Sequence, residues 1–414
     1  MNADRNPRFA VGFMEIAARR VAPGRLDGFV KAKSALGARA MAFTDPHRRH
    51  LEGLARRERL RALAPRAGLD FASNDYLGLA ASPELRAAAE AALARGVPLG
   101  SGGSRLLRGN HPEHEALEAE AAAFFGAEAA LWLSSGYGAN SMLLATLPQR
   151  GDLIVHDALV HASAHEGMRL ARAETIAAAH NDADAFADAI AAWRARGGTG
   201  RPWITVESLY SMDGDRAPLA ALAEIADRHE AFLLIDEAHA TGVFGVDGRG
   251  LAGALEGREN VVTLHTCGKA LGCEGALIAA PRVLTDYIVN QGRGFIFSTA
   301  PSPLMAAVAR AALALVRARP ERRERLAALI AAAGALFEQT LGVAPSGSQI
   351  QPVILGDNGR TMQVAARLQA AGFDVRGIRP PTVPEGTARL RVSLTLNVGE
   401  ADVAALVAAI AAAL

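Results

Sequence analysis

The sequence Thr266-Cys267-Gly268-Lys269-Ala270-Leu271-Gly272 sets one lysine among small residues. It follows the apolar run Val261-Val262-Thr263-Leu264-His265, which predicts a strand that delivers the lysine to the carboxyl edge of a sheet, where α/β proteins bind ligands. Gly268 and Gly272 allow the backbone to approach a ligand closely, because glycine has no Cβ atom. The stretch therefore predicts an α/β fold with Lys269 at a ligand site.

A second segment, Asp236-Glu237-Ala238-His239, follows the apolar run Phe232–Ile235, about thirty positions before the lysine. A lysine amine that forms a Schiff base with an aldehyde, and an aspartate that keeps a pyridine nitrogen protonated, are the two groups that a pyridoxal phosphate (PLP) enzyme needs most. The alternative interpretations are that Lys269 is a solvated lysine in a loop and that Asp236 caps a helix. The two segments in this order favour PLP chemistry.

Composition and charge argue against several classes of protein. The chain has 414 residues, enough for two domains, of which 50% are hydrophobic and 21% charged, as in ordinary globular proteins. Its formal net charge is +1 without a basic stripe, so nucleic acid binding is not expected. No apolar run approaches the roughly 18 residues of a membrane span. The only cysteines, Cys267 and Cys273, are too few for a disulfide framework or a good metal site, and they favour a cytoplasmic location.

The first forty residues differ from the rest of the chain. Residues 1–40 contain eight Lys or Arg and three acidic residues. An Arg-rich, acid-poor leader is typical of an organelle presequence. The alternative, which we favour, is a poorly ordered extension upstream of a start at Met41. The expected parts of the chain are this extension, an N-terminal segment at 41–75, a large domain at 76–302 and a small C-terminal domain at 303–414.

Strands and helices alternate through most of the sequence. Strands are predicted at Ala129–Leu133, Leu153–His156, Thr175–Ala178, Pro202–Glu207, Phe232–Asp236, Val261–His265 and Gly275–Ala279, with a short one near Leu69–Ala72. Helices are predicted at His50–Leu63, Pro83–Arg95, His111–Phe125, Leu304–Ala318 and Arg322–Leu341. Because most of the strands are apolar on both faces and separated by helices, they predict a buried, mainly parallel, seven-stranded sheet. The predicted fold class is therefore α/β, with a smaller C-terminal α/β domain.

Further polar residues follow predicted strands. The segment Ser134-Ser135-Gly136-Tyr137-Gly138-Ala139-Asn140 opens a helix, where free backbone N–H groups bind phosphate readily. His161 is a candidate to stack on a cofactor ring and His239 to reach its phenolic oxygen, although a lone histidine is more often a core or cap residue. Ser208, in the segment Glu207–Asp215, follows another strand and is a candidate donor to the same oxygen.

Two glycine-containing segments resemble nucleotide-binding motifs but lack the necessary context. Gly248–Gly253 matches G-x-G-x-x-G, but it does not lie on the early strand-to-helix turn that a dinucleotide site requires. Gly268-Lys269 lacks the glycine that a P-loop has five residues earlier. Neither segment supports nucleotide binding.

Together these segments resemble the α-oxoamine synthase family, which are PLP enzymes of fold type I. The similar motifs are Asn74–Leu79, Gly100–Arg105, Asp236–His239 with Thr241-Gly242, Thr266–Gly272, and Phe297-Ser298-Thr299. The resemblance covers residues from about 50 to 414, and five motifs in the right order are highly specific. Members of this family condense an amino acid with an acyl thioester and release carbon dioxide.

The resemblance implies a role at the cofactor for each candidate residue. Lys269 is the Schiff-base lysine, Asp236 pairs with the ring nitrogen, and His161 stacks on the ring; these three are the catalytic residues. His239 and Ser208 meet the phenolic oxygen. The implied phosphate-binding residues are Gly136, Tyr137 and Thr266 from one subunit and Ser298 and Thr299 from its neighbour, so the active unit is a homodimer with shared active sites.

The segment Ile378–Arg391 is most similar to the members that join L-alanine to a pimeloyl thioester in biotin synthesis. The thioester carrier, CoA or acyl carrier protein, stays open. Arg391 is the candidate for the alanine carboxylate, since a guanidinium binds a carboxylate bidentately. The remaining substrate-binding candidates are Arg379 in its Pro-stiffened loop and, less strongly, Arg61 for the distal carboxylate, together with Asn74 and Thr382.

Two alternatives to this function stay open at the level of sequence. One is a sibling enzyme that uses glycine or serine with another acyl thioester. The other is a catalytically inactive relative that serves as a binding subunit, against which the intact set of Lys269, Asp236, His239 and His161 speaks. Two departures from the family pattern, the residue Val160 and the leader, do not touch the core chemistry.

We predict that residues 1–40 are dispensable, because every motif lies downstream of residue 60. A shortened chain that begins at Met41 should keep the activity and the melting temperature of the full chain, measured side by side. A loss of several degrees on shortening would instead show that the leader packs on the folded domain.

Overall fold

The computed structural model describes residues 43–63 and 65–414 and divides the chain into two compact units, Met1–Leu60 and Arg61–Leu414. In the described part of the first unit there is one helix, α1 (Asp45–Arg56). It begins and ends earlier than the predicted helix at 50–63, because Pro46 favours a helix start and Glu58 adopts a positive φ of 55° just after the helix end. The predicted extension, residues 1–40, lies outside the described residues.

The second unit contains a large sheet, a small sheet and covering helices. Its described strands are β1 (Leu69–Asp70), β2 (Ala129–Leu133), β3 (Leu153–Asp157), β4 (Glu174–Ala178), β5 (Pro202–Glu207), β6 (Phe232–Asp236), β7 (Val261–Thr266), β8 (Ala276–Ala280), β9 (Ile350–Gly356), β10 (Phe373–Asp374), β11 (Arg376–Ile378) and β12 (Ala388–Ser393). Its described α-helices are α2 (Pro83–Ala94), α3 (Pro112–Phe125), α4 (Gly136–Thr146), α5 (Ala162–Leu170), α6 (Ala183–Ala195), α7 (Leu219–Arg228), α8 (Arg282–Gln291), α9 (Arg293–Ile296), α10 (Pro303–Ala318), α11 (Pro320–Leu341), α12 (Asn358–Ala370) and α13 (Glu400–Ala413).

The large sheet has seven strands in the order β2-β8-β7-β6-β5-β3-β4. Strand β8 is antiparallel to both of its neighbours, while the other six strands run in one direction. All seven predicted strands are present, and each boundary is within one residue of its prediction. The predicted α/β fold with a mainly parallel seven-stranded sheet is confirmed.

Helices cover both faces of this sheet, so its strands are buried on both sides. Strand β2 illustrates the pattern, because successive side chains point to opposite faces. Trp132 packs into a core with Phe125 of α3, whereas Leu131 and Leu133 pack into a second core with Leu143 of α4. A sheet covered in this way has only its strand ends free to carry polar groups.

The C-terminal region forms a three-stranded antiparallel sheet in the order β11-β12-β9, with its own core built from α11, α12 and α13. Strand β1 joins this region by pairing in parallel with β10. Helix α10, which follows the predicted boundary at residue 302, packs in the core of the large sheet through Ala306 and Leu313. The division into domains at 302 and 303 therefore stays a prediction.

The loop after β7 is tightly packed against the segment that follows β1. Gly272 has a φ of +64°, and a Cβ atom there would lie 2.5 Å from the backbone nitrogen of Ala80. Only glycine fits such a position without strain, because it tolerates positive φ and has no Cβ. This contact fixes the backbone of the loop that carries Lys269.

Candidate active site

Six parallel strands end at one edge of the large sheet, and their connections bring the predicted site residues together. Gly136 and Tyr137 follow β2, His161 follows β3, and His239 follows β6. Asp236 is the last residue of β6 and Thr266 the last of β7, with Lys269 three residues further on. This is the edge at which open α/β sheets bind ligands.

A cavity of about 440 Å³ lies at this edge. Its lining residues are Gly136, Tyr137, His161, Ser163, Glu207, Asp236, Ala238, His239, Leu264, Thr266 and Lys269. Seven of these were predicted from the sequence. The sequence analysis missed Ser163 and Glu207, which are polar residues without a distinctive neighbouring pattern.

Lys269 has an environment that favours its neutral amine. Burial lowers its pKa, and the carboxylates of Asp236 and Glu207 oppose this only in part. A neutral amine is the nucleophilic form, so partial desolvation activates the lysine. Lys269 is also unusual in sequence, because the other two lysines of the chain, Lys31 and Lys33, both precede Met41.

Asp236 is held by two hydrogen bonds. Its Oδ1 accepts the backbone N–H of Ala238 at 2.9 Å, and its Oδ2 accepts the side-chain amide of Asn140 at 3.1 Å. The same Asn140 amide nitrogen lies 3.0 Å from the Ser163 hydroxyl, which in turn lies 2.7 Å from Nδ1 of His161. A chain of polar contacts therefore joins the carboxylate to His161.

The two histidines of the cavity are both disposed to be neutral. Burial lowers the pKa of His161, and the charge of Lys269 adds to this while that of Asp236 opposes it. Burial also holds the pKa of His239 well below its usual range. Nδ1 of His239 lies 2.6 Å from the Tyr76 hydroxyl. Neutral imidazoles suit roles in ring stacking and hydrogen bonding rather than charge pairing.

The start of helix α4 forms an anion site. Ser135 caps the helix by accepting the N–H of Gly138 at 3.1 Å, which leaves the N–H groups of Gly136 and Tyr137 as helix-start donors. A Cβ atom at Gly136 would lie 3.1 Å from Oγ1 of Thr266. The glycine thus keeps open the space between the helix start and that hydroxyl.

Glu207 brings a second carboxyl group into the cavity. Burial raises its pKa well above the usual range, and the neighbouring charge of Asp236 raises it further. Its Oε2 accepts the N–H of Ser211 at 3.2 Å, while its Oε1 is buried without a hydrogen-bond partner in the described protein. An amine, a carboxylate, a buried polar oxygen and an anion site thus surround one cavity, and they complement an aldehyde, a cationic ring nitrogen and a phosphate.

Ser208 is not among the residues that line this cavity, contrary to the prediction. Side chains alternate along a strand, so the cavity-facing Glu207 at the end of β5 leaves Ser208 turned away, where it is fully buried. The hydroxyl that reaches the site from this loop is that of Ser211, which lines the two adjoining clefts. Ser208 was predicted because it directly follows β5. The clefts are lined instead by Ser211, three residues further along the loop.

A second cleft, of about 600 Å³, adjoins the first and shares His161, His239 and Lys269 with it. Two predicted substrate-binding residues, Asn74 and Arg391, line it. Arg391 is held rigidly, because its guanidinium donates to the Ser211 carbonyl at 2.6 Å, the Ser393 hydroxyl at 2.7 Å and Oδ1 of Asn74 at 3.1 Å. The arrangement presents a fixed guanidinium beside Lys269.

A third cleft, of about 960 Å³, also reaches His161. Its walls are residues 158–162 with His165, residues 210–213, and residues 381–384, which include Thr382. The Arg61 guanidinium donates to the Thr382 hydroxyl at 3.1 Å, so two predicted residues 321 positions apart meet at this cleft. The cleft is large enough for an extended chain.

Arg379 does not line any of these three clefts. It is buried, and its Nη1 lies 2.6 Å from the Met362 sulfur. The residue precedes the cleft-lining segment 381–384 and turns toward helix α12, and its predicted contact with the substrate stays a prediction.

Ser298 and Thr299 are exposed and lie outside the first cavity. They line a shallow depression with Arg105 and Ser134, close to the segment that precedes the start of α4. Their predicted contact with a phosphate of a neighbouring subunit stays a prediction.

No group of three or more His, Cys, Asp or Glu side chains in residues 43–63 and 65–414 is arranged to hold a metal ion. Within the same residues, no helix has both the length and the apolar character to cross a membrane.

Comparison with known proteins shows the family to which the chain belongs. The family model described as aminotransferase class I and II matches residues 66–410. A protein from Anaeromyxobacter dehalogenans (strain 2CP-1 / ATCC BAA-258) named 8-amino-7-oxononanoate synthase is 47% identical, over 84% of this chain and 87% of its own length. A protein of the same name from Azoarcus sp. (strain BH72) is 43% identical, over 85% of this chain and 92% of its own length.

Two solved structures have a fold similar to that of this chain. A serine palmitoyltransferase from S. paucimobilis with a bound PLP–myriocin adduct has a TM-score of 0.80 and 25% identity, over 89% of this chain and 97% of that chain. An 8-amino-7-oxononanoate synthase from Francisella tularensis has a TM-score of 0.71 and 26% identity, over 83% of this chain and 97% of that chain.

Proposed function

This chain belongs to the aminotransferase class I and II family, and we propose that it is an α-oxoamine synthase, an 8-amino-7-oxononanoate synthase of biotin synthesis. The reaction joins L-alanine to a pimeloyl thioester and gives 8-amino-7-oxononanoate, carbon dioxide and a free thiol. The observation that carries the proposal is the convergence of Lys269, Asp236 and Arg391 around adjoining clefts at one sheet edge, in a chain 47% identical to a relative of that name.

The residues of the first cavity fit PLP. Lys269 would hold the aldehyde, Asp236 the ring nitrogen, and the helix start at Gly136 and Tyr137 with Thr266 the phosphate. His161 would stack on the ring and His239 would meet the phenolic oxygen. When bound, PLP supplies an electron sink for the carbon that loses a proton.

Three side chains of the protein have the remaining roles in the reaction. Arg391 binds the carboxylate of alanine, and its three hydrogen bonds fix the direction of that contact. Lys269, whose pKa burial lowers, would take the proton from Cα of the bound alanine. Asp236, anchored by Ala238 and Asn140, keeps its charge directed at the ring nitrogen.

The third cleft suits the acyl chain. It meets the first cavity at His161, so a chain lying in it has its thioester carbon near the reacting centre and its far end toward Thr382. Arg61, bonded to Thr382, supplies the guanidinium for a distal carboxylate. We therefore favour Arg61 over Arg379 for that role.

The lysine content of the chain allows a sharp test of the cofactor site. In a chain that begins at Met41, Lys269 is the only lysine. Incubation with PLP followed by borohydride reduction should attach one phosphopyridoxyl group to the peptide that contains Lys269, with loss of water on imine formation, and the Lys269→Ala variant should take up none there. We also expect this variant to release no thiol from pimeloyl-CoA with alanine, because it lacks both the anchor and the base.

Measurement of thiol release also distinguishes the alternative functions. A panel of alanine, glycine and serine, each with pimeloyl-CoA and with an uncharged acyl-CoA, is followed by thiol release. Preference for glycine or serine with another acyl donor would support a sibling enzyme. Cofactor attached to Lys269 without thiol release from any pair would support a non-catalytic subunit.

The role of Arg61 predicts a change in acyl specificity. Arg61→Ala should raise KM for pimeloyl-CoA by about tenfold, the effect of one lost charge-assisted contact, and should leave KM for alanine nearly unchanged. Arg66→Ala is the matched control, since Arg66 is exposed and, unlike Arg61, donates no hydrogen bond to the cleft residue Thr382. An equal effect on pimeloyl-CoA and on an uncharged acyl-CoA of similar length would remove Arg61 from the carboxylate site.

We also propose that the active unit is a homodimer. Ser298 and Thr299 adjoin an exposed apolar surface, with Phe297 70% and Leu107 85% exposed. The two segments that carry them are joined by the hydrogen bond from the Ala300 N–H to the Gly103 carbonyl. The position of these exposed apolar side chains beside the predicted phosphate contacts supports a homodimer with shared active sites.

Leu107→Asp should weaken this dimer and lower the affinity for PLP, because a buried charge at an interface is costly. Sedimentation velocity compares the variant with Val246→Asp, a control at another residue that is 77% exposed. A wild-type protein that sediments as a monomer of 43.2 kDa would refute the dimer. The cytoplasmic location stays a prediction, which cell fractionation tests. The thioester carrier is an open choice between CoA and acyl carrier protein, which a direct comparison of the two donors decides.

A further inference from the structure

His180 lies between two aspartates that belong to different loops. Its Nδ1 is 2.9 Å from Oδ1 of Asp157, the last residue of β3, and its Nε2 is 2.8 Å from Oδ2 of Asp215, in the loop after β5. His180 itself follows the edge strand β4. One imidazole ring thus connects the carboxyl ends of three neighbouring strands.

The surroundings strengthen this connection. Asn181 donates its backbone N–H to Asp157 at 2.8 Å and its side-chain amide to Asp215 at 2.6 Å. The Tyr210 ring meets the His180 ring edge-on, with centroids 4.5 Å apart. Asp157 is fully buried, so its charge needs a close cation, and His180 is the one that it meets.

The two aspartates hold the two facing walls of the third cleft. Asp157 accepts the N–H of Leu159 at 2.8 Å, and residues 158–162 form one wall. The Asp215 carbonyl accepts the N–H of Tyr210 at 2.9 Å, and residues 210–213 form the opposite wall. His180 is therefore tied to both walls, although it lines neither that cleft nor the first cavity.

We propose that His180 is a positioning residue that, clamped between Asp157 and Asp215, fixes the separation of the two walls of the acyl cleft and so sets how tightly the acyl chain is bound. This inference rests on the proposed function, which assigns the acyl chain to this cleft. His180 acts through the loops and touches neither substrate nor cofactor.

The charge state of the ring supports the clamp. Burial lowers the pKa of His180, but the hydrogen bonds and charges of Asp157 and Asp215 outweigh it and raise the pKa to about 10. Burial keeps Tyr210, the other titratable group facing the ring, neutral by raising its pKa. Because the folded-state pKa is raised, the stabilisation is fully present below the ordinary histidine value of 6.5 and is lost as pH rises through about 10.

Hydrogen exchange tests the clamp without reference to activity. His180→Gln keeps a polar side chain but removes the charge and one of the two contacts. We expect amides in residues 158–162 and 208–217 to exchange about tenfold faster in this variant of the PLP-loaded enzyme than in wild type at pH 7, with other regions unchanged. His229→Gln, the same substitution at the end of α7, is the control. Unchanged exchange in those two loops would overturn the proposal.

Kinetics test the effect on acyl binding. His180→Gln should raise KM for pimeloyl-CoA by about tenfold and change KM for alanine by less than about twofold, since Arg391 keeps its contacts to Asn74 and Ser393. A merely structural role would lower the melting temperature and shift both KM values alike, which would also overturn the proposal.

A second variant covers the case in which His180→Gln folds poorly. Asp215→Asn preserves shape and removes one charge of the clamp at a side chain that is 39% exposed. It should show the same split between the two KM values, and combining it with His180→Gln should add little, because both remove one interaction. Full additivity would count against the clamp. Absence of thiol release by wild type would refute the proposed function instead, while the exchange measurement would still decide the clamp.

Discussion

The register between β5 and β6 puts Glu207 directly beside Asp236, and the rest of the site follows from this contact between two carboxyl groups. Two acids cannot both be charged at such a distance without compensation, and the pKa of Glu207 is raised accordingly. The charge of Lys269, when its amine is protonated, lowers the pKa of Glu207 and so offsets part of this effect. In a parallel sheet, neighbouring strands end side by side, so this crowding of polar groups at one edge is a property of the fold itself.

Around this pair, several polar side chains are held by other residues. Asn140 joins Asp236 to Ser163, and Ser163 joins Asn140 to His161. On the substrate side, the Ser211 backbone contacts both the Glu207 carboxyl group and the Arg391 guanidinium. A site built from such linked contacts orients its charges before any ligand arrives, which is the arrangement that electrostatic catalysis requires.

The sequence predicted the elements of the fold well, because short apolar runs between helices mark buried parallel strands strongly; all seven strands of the large sheet were located. It also identified Lys269 and Asp236, since each directly follows such a run, and the family resemblance is confirmed by the aminotransferase class I and II match and by relatives 43–47% identical. Ser208 and Arg379 do not line the clefts, because alternation along β5 turns Ser208 away from the cavity and Arg379 turns toward α12. Asn140 and Ser163 were missed because their function depends on contacts across 96 and 23 positions, which no local pattern records.

Because lysine is scarce in this chain, cleavage after Lys269 can measure the motion of the loop that carries it. Before PLP is added, a lysine-specific protease can cut the chain at Lys31, at Lys33 and at one further bond, after Lys269. The loop that holds that bond is fixed by the close approach of Gly272 to Ala80, so cleavage there requires local opening. When opening and closing are fast relative to cleavage, the cutting rate reports the free energy of that opening alone. Ligands that close the site would then be ranked by how far they slow a single, identifiable cut.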